Sequence, residues 1–157
     1  MQVFERIIPL YQQYPNLSVV LGNFDGVHRG HQELIRRSVE RARAEKGWVA
    51  VLTFDPHPAQ VLGTNNVQLL TTKRQKEMLI GRWGVDLLVY CPFTPSFAHL
   101  EAGQFIQEVL WNNFRPQAVF VGFNFTFGRG ARGKADLLRA YGQQLGFEVV
   151  VVPPVVV

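Results

Sequence analysis

Two histidines stand three residues apart in the segment Leu21-Gly22-Asn23-Phe24-Asp25-Gly26-Val27-His28-Arg29-Gly30-His31. Residues at that spacing share a helix face, so both imidazoles can address one ligand. The apolar run Leu17, Val19, Val20, Leu21 before them reads as a buried strand. Gly22, Asp25 and Gly26 mark a tight turn. Leu34, Ile35, Ser38, Val39 and Ala42 then recur at helical spacing. His28 and His31 therefore fall at the mouth of a helix, where unpaired N–H groups and the positive dipole end favour anions. Paired donors at such a mouth suit a phosphate chain. Two competing readings are a pair of histidines in a surface loop and a pair of metal ligands. A structural zinc site takes four ligands, usually with cysteines. This chain has one cysteine, and Asp25, Asp55, His57 and His99 are scattered.

The elements that position this segment alternate along the chain. Strands are expected over about 17–22, Trp48 to Phe54, Val85 to Tyr90, Ala118 to Gly122 and Phe147 to Val152. Helices are expected over about 30–46, 73–83, 101–114 and 134–146, with Thr71-Thr72 capping the second. Asp55-Pro56-His57-Pro58 interrupts the chain after the second strand. Short apolar strands alternating with amphipathic helices predict an α/β fold, a five-stranded parallel sheet with helices on both faces. Ligands bind such sheets beyond the carboxyl ends of the strands. Residues 22–31, 55–58 and 122–134 all fall on that edge.

At 157 residues the chain suits one domain. It is 47% hydrophobic and 18% charged, which argues against disorder. No apolar run approaches a membrane span, and no signal peptide is visible. One cysteine fits a reducing compartment, with cytoplasm as the expectation. The net charge of +4 permits anionic ligands. The positives are dispersed as solvated helix faces, so neither nucleic acid nor a membrane is expected as partner. Val149 to Val157 is nearly all valine apart from Pro153 and Pro154. A domain rarely stops in such a run, so the chain is expected to be cut shortly after its fifth strand.

Two nucleotide motifs fail. Gly22, Gly26 and Gly30 have the wrong spacing for G-x-G-x-x-G. Gly128 to Lys134 spells G-x-x-x-x-G-K, but Ala135 follows where a P-loop needs Ser or Thr. The first segment instead resembles the H-x-G-H signature of the nucleotidylyltransferase superfamily. Thr53-Phe54-Asp55-Pro56-His57-Pro58, Leu70-Thr71-Thr72, Phe97-Ala98 and Gly122-Phe123-Asn124-Phe125-Thr126-Phe127-Gly128 follow in the order seen in prokaryotic FAD synthetases. Those enzymes join an N-terminal FMN adenylyltransferase domain to a C-terminal riboflavin kinase domain. The resemblance covers nearly all of the chain. The family's second signature, of the form I-S-S-T-x-I-R, has no counterpart in residues 1–157, and neither does the kinase domain.

The resemblance implies a Rossmann-like nucleotidylyltransferase fold and the reaction FMN + ATP → FAD + pyrophosphate, with magnesium accompanying ATP. It implies His28, His31 and Asn124 as catalytic residues. Gly22, Asn23, Phe24, Asp25, Gly26, His28, Gly30 and His31 would bind ATP. Phe54, Asp55, His57, Asn124, Phe125 and Phe127 would line the flavin site, though each phenylalanine also fits a core and Asp55 also fits a helix cap. Arg129, Arg132 and Lys134 lie in a glycine-rich loop, expected to be mobile, where they would either close over phosphates or simply be solvated. His99 is read as structural. The partners implied are the small molecules FMN and ATP, and a covalently linked riboflavin kinase domain in the parent protein. Two alternatives stay open: a nucleotidylyltransferase for another phosphorylated acceptor, and a nucleotide- or flavin-binding module without turnover.

Overall fold

A computed structural model describes residues 1–24, 29–58 and 72–155. Among the described residues six strands form one parallel sheet: β1 (Gln2–Phe4), β2 (Leu17–Leu21), β3 (Trp48–Asp55), β4 (Leu87–Pro92), β5 (Ala118–Gly122) and β6 (Glu148–Val152). Their order across the sheet is β1-β4-β3-β2-β5-β6. Among the described residues the helices are α1 (Arg29–Ala44), α2 (Lys73–Arg82), α3 (Pro95–Ala98), α4 (102–114) and α5 (Ala135–Leu145).

The sequence pattern predicts five strands, and the sheet has six. The extra strand, β1, is three residues long and pairs Gln2 with Leu87 at the sheet edge. Three residues carry no readable alternation, and the pairing is fixed instead by Gln2 N–H donating to Asp86 O (2.9 Å). β4 begins at Leu87 rather than Val85 because Asp86 is occupied at the border. Its N–H donates to Val49 O, its carboxylate accepts from Val49 N–H (2.9 Å), and it pairs with Arg43 (3.1 Å).

Side chains on a strand alternate between faces, and the core divides accordingly. Val20, Val49, Val51, Leu88, Tyr90 and Phe120 pack with Leu34, Ile35 and Ala42 of α1 and Ile80 of α2. Val19, Leu21, Leu52, Val89, Val119 and Val121 pack with Phe105, Ile106, Leu110 and Phe114 of α4 and Leu138 of α5. So helices cover both faces, as the alternation predicts. Helix α2 carries a capping box, in which Thr72 Oγ1 accepts from Gln75 N–H while Gln75 accepts from Thr72 N–H. Thr71 and Leu70 lie outside the described residues.

The cationic face of α1 is neutralised locally. Arg36 pairs with Glu33 (2.7 Å) and Glu40 (2.8 Å), and Arg41 reaches Glu148 on β6 (2.6 Å). The Arg36 and Arg37 guanidiniums hold the Glu33 carboxyl down at about 2. The middle of α4, Phe105–Trp111, is π-helical, with Asn112 N–H closing on Gln107 O. Asn113 Nδ2 donates to Glu108 O (3.1 Å) and Val109 O (2.8 Å), satisfying carbonyls in that widened turn. Among the described residues no helix is long and apolar enough to cross a membrane.

Ile35 is fully buried between α1 and the sheet and fixes the helix that carries His31. Ile35→Ala should lower unfolding free energy by about 2–5 kcal/mol in a urea titration. A change under about 0.5 kcal/mol, the size seen at ordinary surface positions, would mean that this contact does not hold α1.

Candidate functional site

The connection from β2 runs to β3 and β4 on one side of the sheet, while β5 and β6 occupy the other. The carboxyl ends of β2 and β5 therefore flank the point where the strand order reverses, the usual place for a ligand crevice. A cleft of about 440 Å³ opens there. Its described walls come from residues 21–24 after β2, from Gly30, His31 and Leu34 of α1, and from His57 after β3. Residues 122–126 after β5 and 152–154 after β6 complete them. None of these lining residues is acidic.

The β2 side depends on a sharp return of the chain. Gly22 N–H donates to Leu52 O (3.3 Å), and Phe24 then adopts a left-handed backbone at φ 54° with its ring fully buried. A Cβ on Gly22 would stand 2.7 Å from that ring, so glycine is required there. His31, in the first turn of α1, packs edge-on to the Phe24 ring, with centroids 5.0 Å apart. On the β5 side, Phe125 N–H donates to Gly122 O (3.2 Å), closing a four-residue turn. Phe123 and Asn124 occupy its tip and are exposed, Phe123 at 58%. Phe123 N–H is held by Val152 O of β6 (3.0 Å).

The fold thus brings together Gly22, Asn23, Phe24, Gly30, His31, His57, Asn124 and Phe125. Asp25, Gly26 and His28 lie outside the described residues. Phe54 and Phe127 are not cleft walls. They are 7% and 5% exposed, inside an aromatic cluster that runs from Phe93 and Phe97 through Phe105 to Phe125. Asp55 is not among the cleft walls either. It pairs with Lys73 (3.3 Å), whose ammonium also reaches Glu5 and sits 4.3 Å from the Tyr90 ring centroid. Burial, with Glu77 accepting its hydroxyl proton at 2.9 Å, pushes the Tyr90 pKa well above the usual range.

The glycine-rich loop is held rather than open. Phe127 and Gly133 exchange both backbone hydrogen bonds, and Arg129 N–H donates to Leu100 O (2.8 Å). Gly128, at φ 77°, would put a Cβ 2.6 Å from Ala102 Cα. Arg129 lies beside Glu101 (3.7 Å), and neither it nor Arg132 lines the cleft. Lys134 instead lines an adjoining cleft of about 360 Å³, across the 123–126 turn and beside the start of α5. His99 Nδ1 donates to Pro95 O (2.7 Å), a local structural bond.

The sequence by itself assigns no role to Phe123, Thr126 or Lys76. For the first, a phenylalanine inside a motif is the available signal. A larger groove, about 640 Å³, runs along α1 beside Trp83 and Val155, but Glu33 and Glu40 line it with Arg29 and Arg36. That mixture suits an anion less well than a cleft whose described lining holds no carboxylate. Among the described residues no three His, Cys, Asp or Glu side chains converge as a metal site.

Residues 11–157 match the family model described as FAD synthetase. The bifunctional riboflavin kinase/FMN adenylyltransferase of Buchnera aphidicola (subsp. Schizaphis graminum) is 31% identical over 151 residues, covering 96% of this chain and 48% of that protein. Its namesake in Escherichia coli K12 is 36% identical over 132 residues, covering 83% and 42%. The chain thus spans about half the length of the curated relatives it matches. Among solved structures, a macrolide-efflux protein from Streptococcus pneumoniae superposes with a TM-score of 0.81 at 31% identity, covering 99% of this chain and 52% of that one. A pantothenate synthetase from Thermus thermophilus superposes at 0.59 with 22% identity, covering 99% and 62%, a likeness of fold.

Cys91 is buried at the end of β4, and burial pushes its thiol up to about 12. A raised thiol pKa leaves almost no thiolate at pH 8, and the thiolate is the reactive form. The native chain should therefore resist a disulfide-exchange reagent at pH 8 and react with one equivalent after denaturation. Rapid labelling of the native chain would contradict this burial.

Proposed function

This chain belongs to the FAD synthetase family, and from that premise we propose that residues 1–157 transfer AMP from ATP to FMN, giving FAD and pyrophosphate. The observation that carries the reading is the cleft between the ends of β2 and β5, walled by His31, Asn23 and Asn124 with no carboxylate in its described lining. A polyphosphate entering it meets imidazole, amide and helix N-terminal donors, and no repelling charge on those walls.

In this reading an oxygen of the FMN phosphate forms a bond to the α-phosphorus. The bond from that phosphorus to the bridging oxygen breaks in line, and pyrophosphate leaves. No covalent enzyme intermediate is needed, so positioning and charge stabilisation supply the catalysis. His31, together with His28, holds the phosphates at the start of α1. Asn124 donates its amide to a phosphate oxygen from the turn tip. Phe123 offers its exposed face to a flat ring. Lys134 lines the adjoining cleft together with Asp136 and would meet the phosphate of the second substrate there. Magnesium entering with ATP would neutralise phosphate charge. The described lining offers it no carboxylate, so phosphate oxygens and water would be its ligands. Phe127 stacks on Phe125 while Phe54 packs on Phe105, and Asp55, Arg129 and Arg132 are given no substrate contact. His57 borders the flavin end. The buried single thiol accords with a cytoplasmic protein.

Purified chain incubated with FMN, ATP and magnesium should yield FAD, read by chromatography with flavin absorbance. His31→Ala should slow it on the order of 10²–10³-fold. ATP and FMN bound without turnover would favour a binding module. Adenylylation of a different phosphorylated acceptor would overturn the flavin assignment. Riboflavin with ATP should give no FMN, since the described residues form one α/β unit. FMN formation would refute that division of labour.

A further inference from the structure

Among the described residues, Lys76 is the one charged side chain that the fold buries, at 9% exposed. Burying an ammonium is costly unless it is bonded. Lys76, on α2, reaches across 53 positions of sequence and donates to Asn23 O (3.0 Å). Thr53 Oγ1, from β3, donates to the same oxygen (3.2 Å). Two donors from two different elements thus converge on one carbonyl. That carbonyl sits between Gly22, pressed against the Phe24 ring, and Phe24 itself in its left-handed conformation.

Neither Lys76 nor Thr53 lines the cleft, while Asn23 and Phe24 do. A trans peptide turns its C=O and its N–H in opposite directions. Holding Asn23 O toward Lys76 therefore turns the Phe24 N–H of the same peptide away from Lys76. We propose that Lys76, assisted by Thr53, is a positioning residue that locks the Asn23–Phe24 peptide so that its N–H serves as a fixed anion donor. The anion is a nucleotide polyphosphate, a part of this inference that rests on the reading under Proposed function. The locked peptide itself does not depend on that reading.

The test uses the full chain with Lys76→Met, which keeps the apolar stem, and Thr53→Val, which keeps the shape. Arg74→Met, exposed on the same helix, is the control. Without ligand, exchange of the Gly22 amide, which bonds Leu52 O beside the locked peptide, is followed by NMR. With ligand, dissociation constants for magnesium–ATP and for inorganic tripolyphosphate are measured by calorimetry. Both variants should exchange Gly22 about tenfold faster and bind both ligands roughly tenfold more weakly, a size typical of supports one shell behind a ligand. Arg74→Met should match wild type, and melting temperatures should stay close to it. Should Lys76→Met fail to fold, Thr53→Val carries the same expectation alone. Unchanged exchange and unchanged affinities in the variants overturn the positioning role while leaving the nucleotide reading intact. Faster exchange in a chain whose wild type binds neither ligand supports the lock and overturns the nucleotide reading.

Discussion

Parallel pairing is the constraint on which the rest of the molecule depends. Strands that all run one way must each return by a crossover over a face of the sheet. Their carboxyl ends then gather on one edge, and the two faces are given to helices. In this chain β2 and β5 are neighbours whose connections lead to opposite sides. The loops that leave them diverge and open a cleft without any special device. Residues far apart in sequence, His31 and Asn124 among them, meet there because the topology delivers both to the same edge.

The apolar layers beneath that edge anchor the described ends of its loops. Phe24 belongs to the core under α1, and the aromatic cluster around Phe105 anchors Phe127 and, through it, Phe125. The walls formed by residues 21–24 and 122–126 are thus short segments tied to buried rings. The electrostatics follow from what is left out. Carboxylates such as Asp55, Glu77 and Glu101 lie outside the described cleft lining, bonded to Lys73, Tyr90 and Arg129 respectively. An anion at the β2–β5 edge is opposed by none of them at contact distance.

Much of this is legible in the sequence because it rests on local pattern. The apolar runs at 17–21 and 118–122, the Thr72 cap and the helix period of α1 each announce themselves within a few residues. Pro153 and Pro154, which follow the last strand, line the cleft at the ligand edge where that strand's direction sends them. What stays hidden depends on partners distant in the chain. β1 is too short to show alternation and is placed by Asp86. The π-helical turn in α4 is satisfied by Asn113, which reads as an ordinary helix-end residue. The loop from Phe127 to Gly133 reads as mobile from its glycines, yet Gly128 is there to approach Ala102 and Gly133 to pair with Phe127. Phe54 and Phe127 have the composition of ring-stacking walls, and only packing reveals them as core. Lys76 looks like one more solvated cation on α2, and its bond to Asn23 O joins elements that no periodicity relates.

The activity proposed for this chain turns on the nucleotide entering the cleft between β2 and β5 rather than the larger groove along α1 beside Trp83. Backbone amide chemical shifts, recorded while magnesium–ATP is titrated into the labelled chain, decide between the two. The largest shifts are expected at Gly22, Asn23, Phe24, His31, Asn124 and Thr126, with Arg36, Val39 and Trp83 nearly unmoved. Shifts concentrated on Arg36, Val39 and Trp83, with the β2–β5 edge silent, would contradict it.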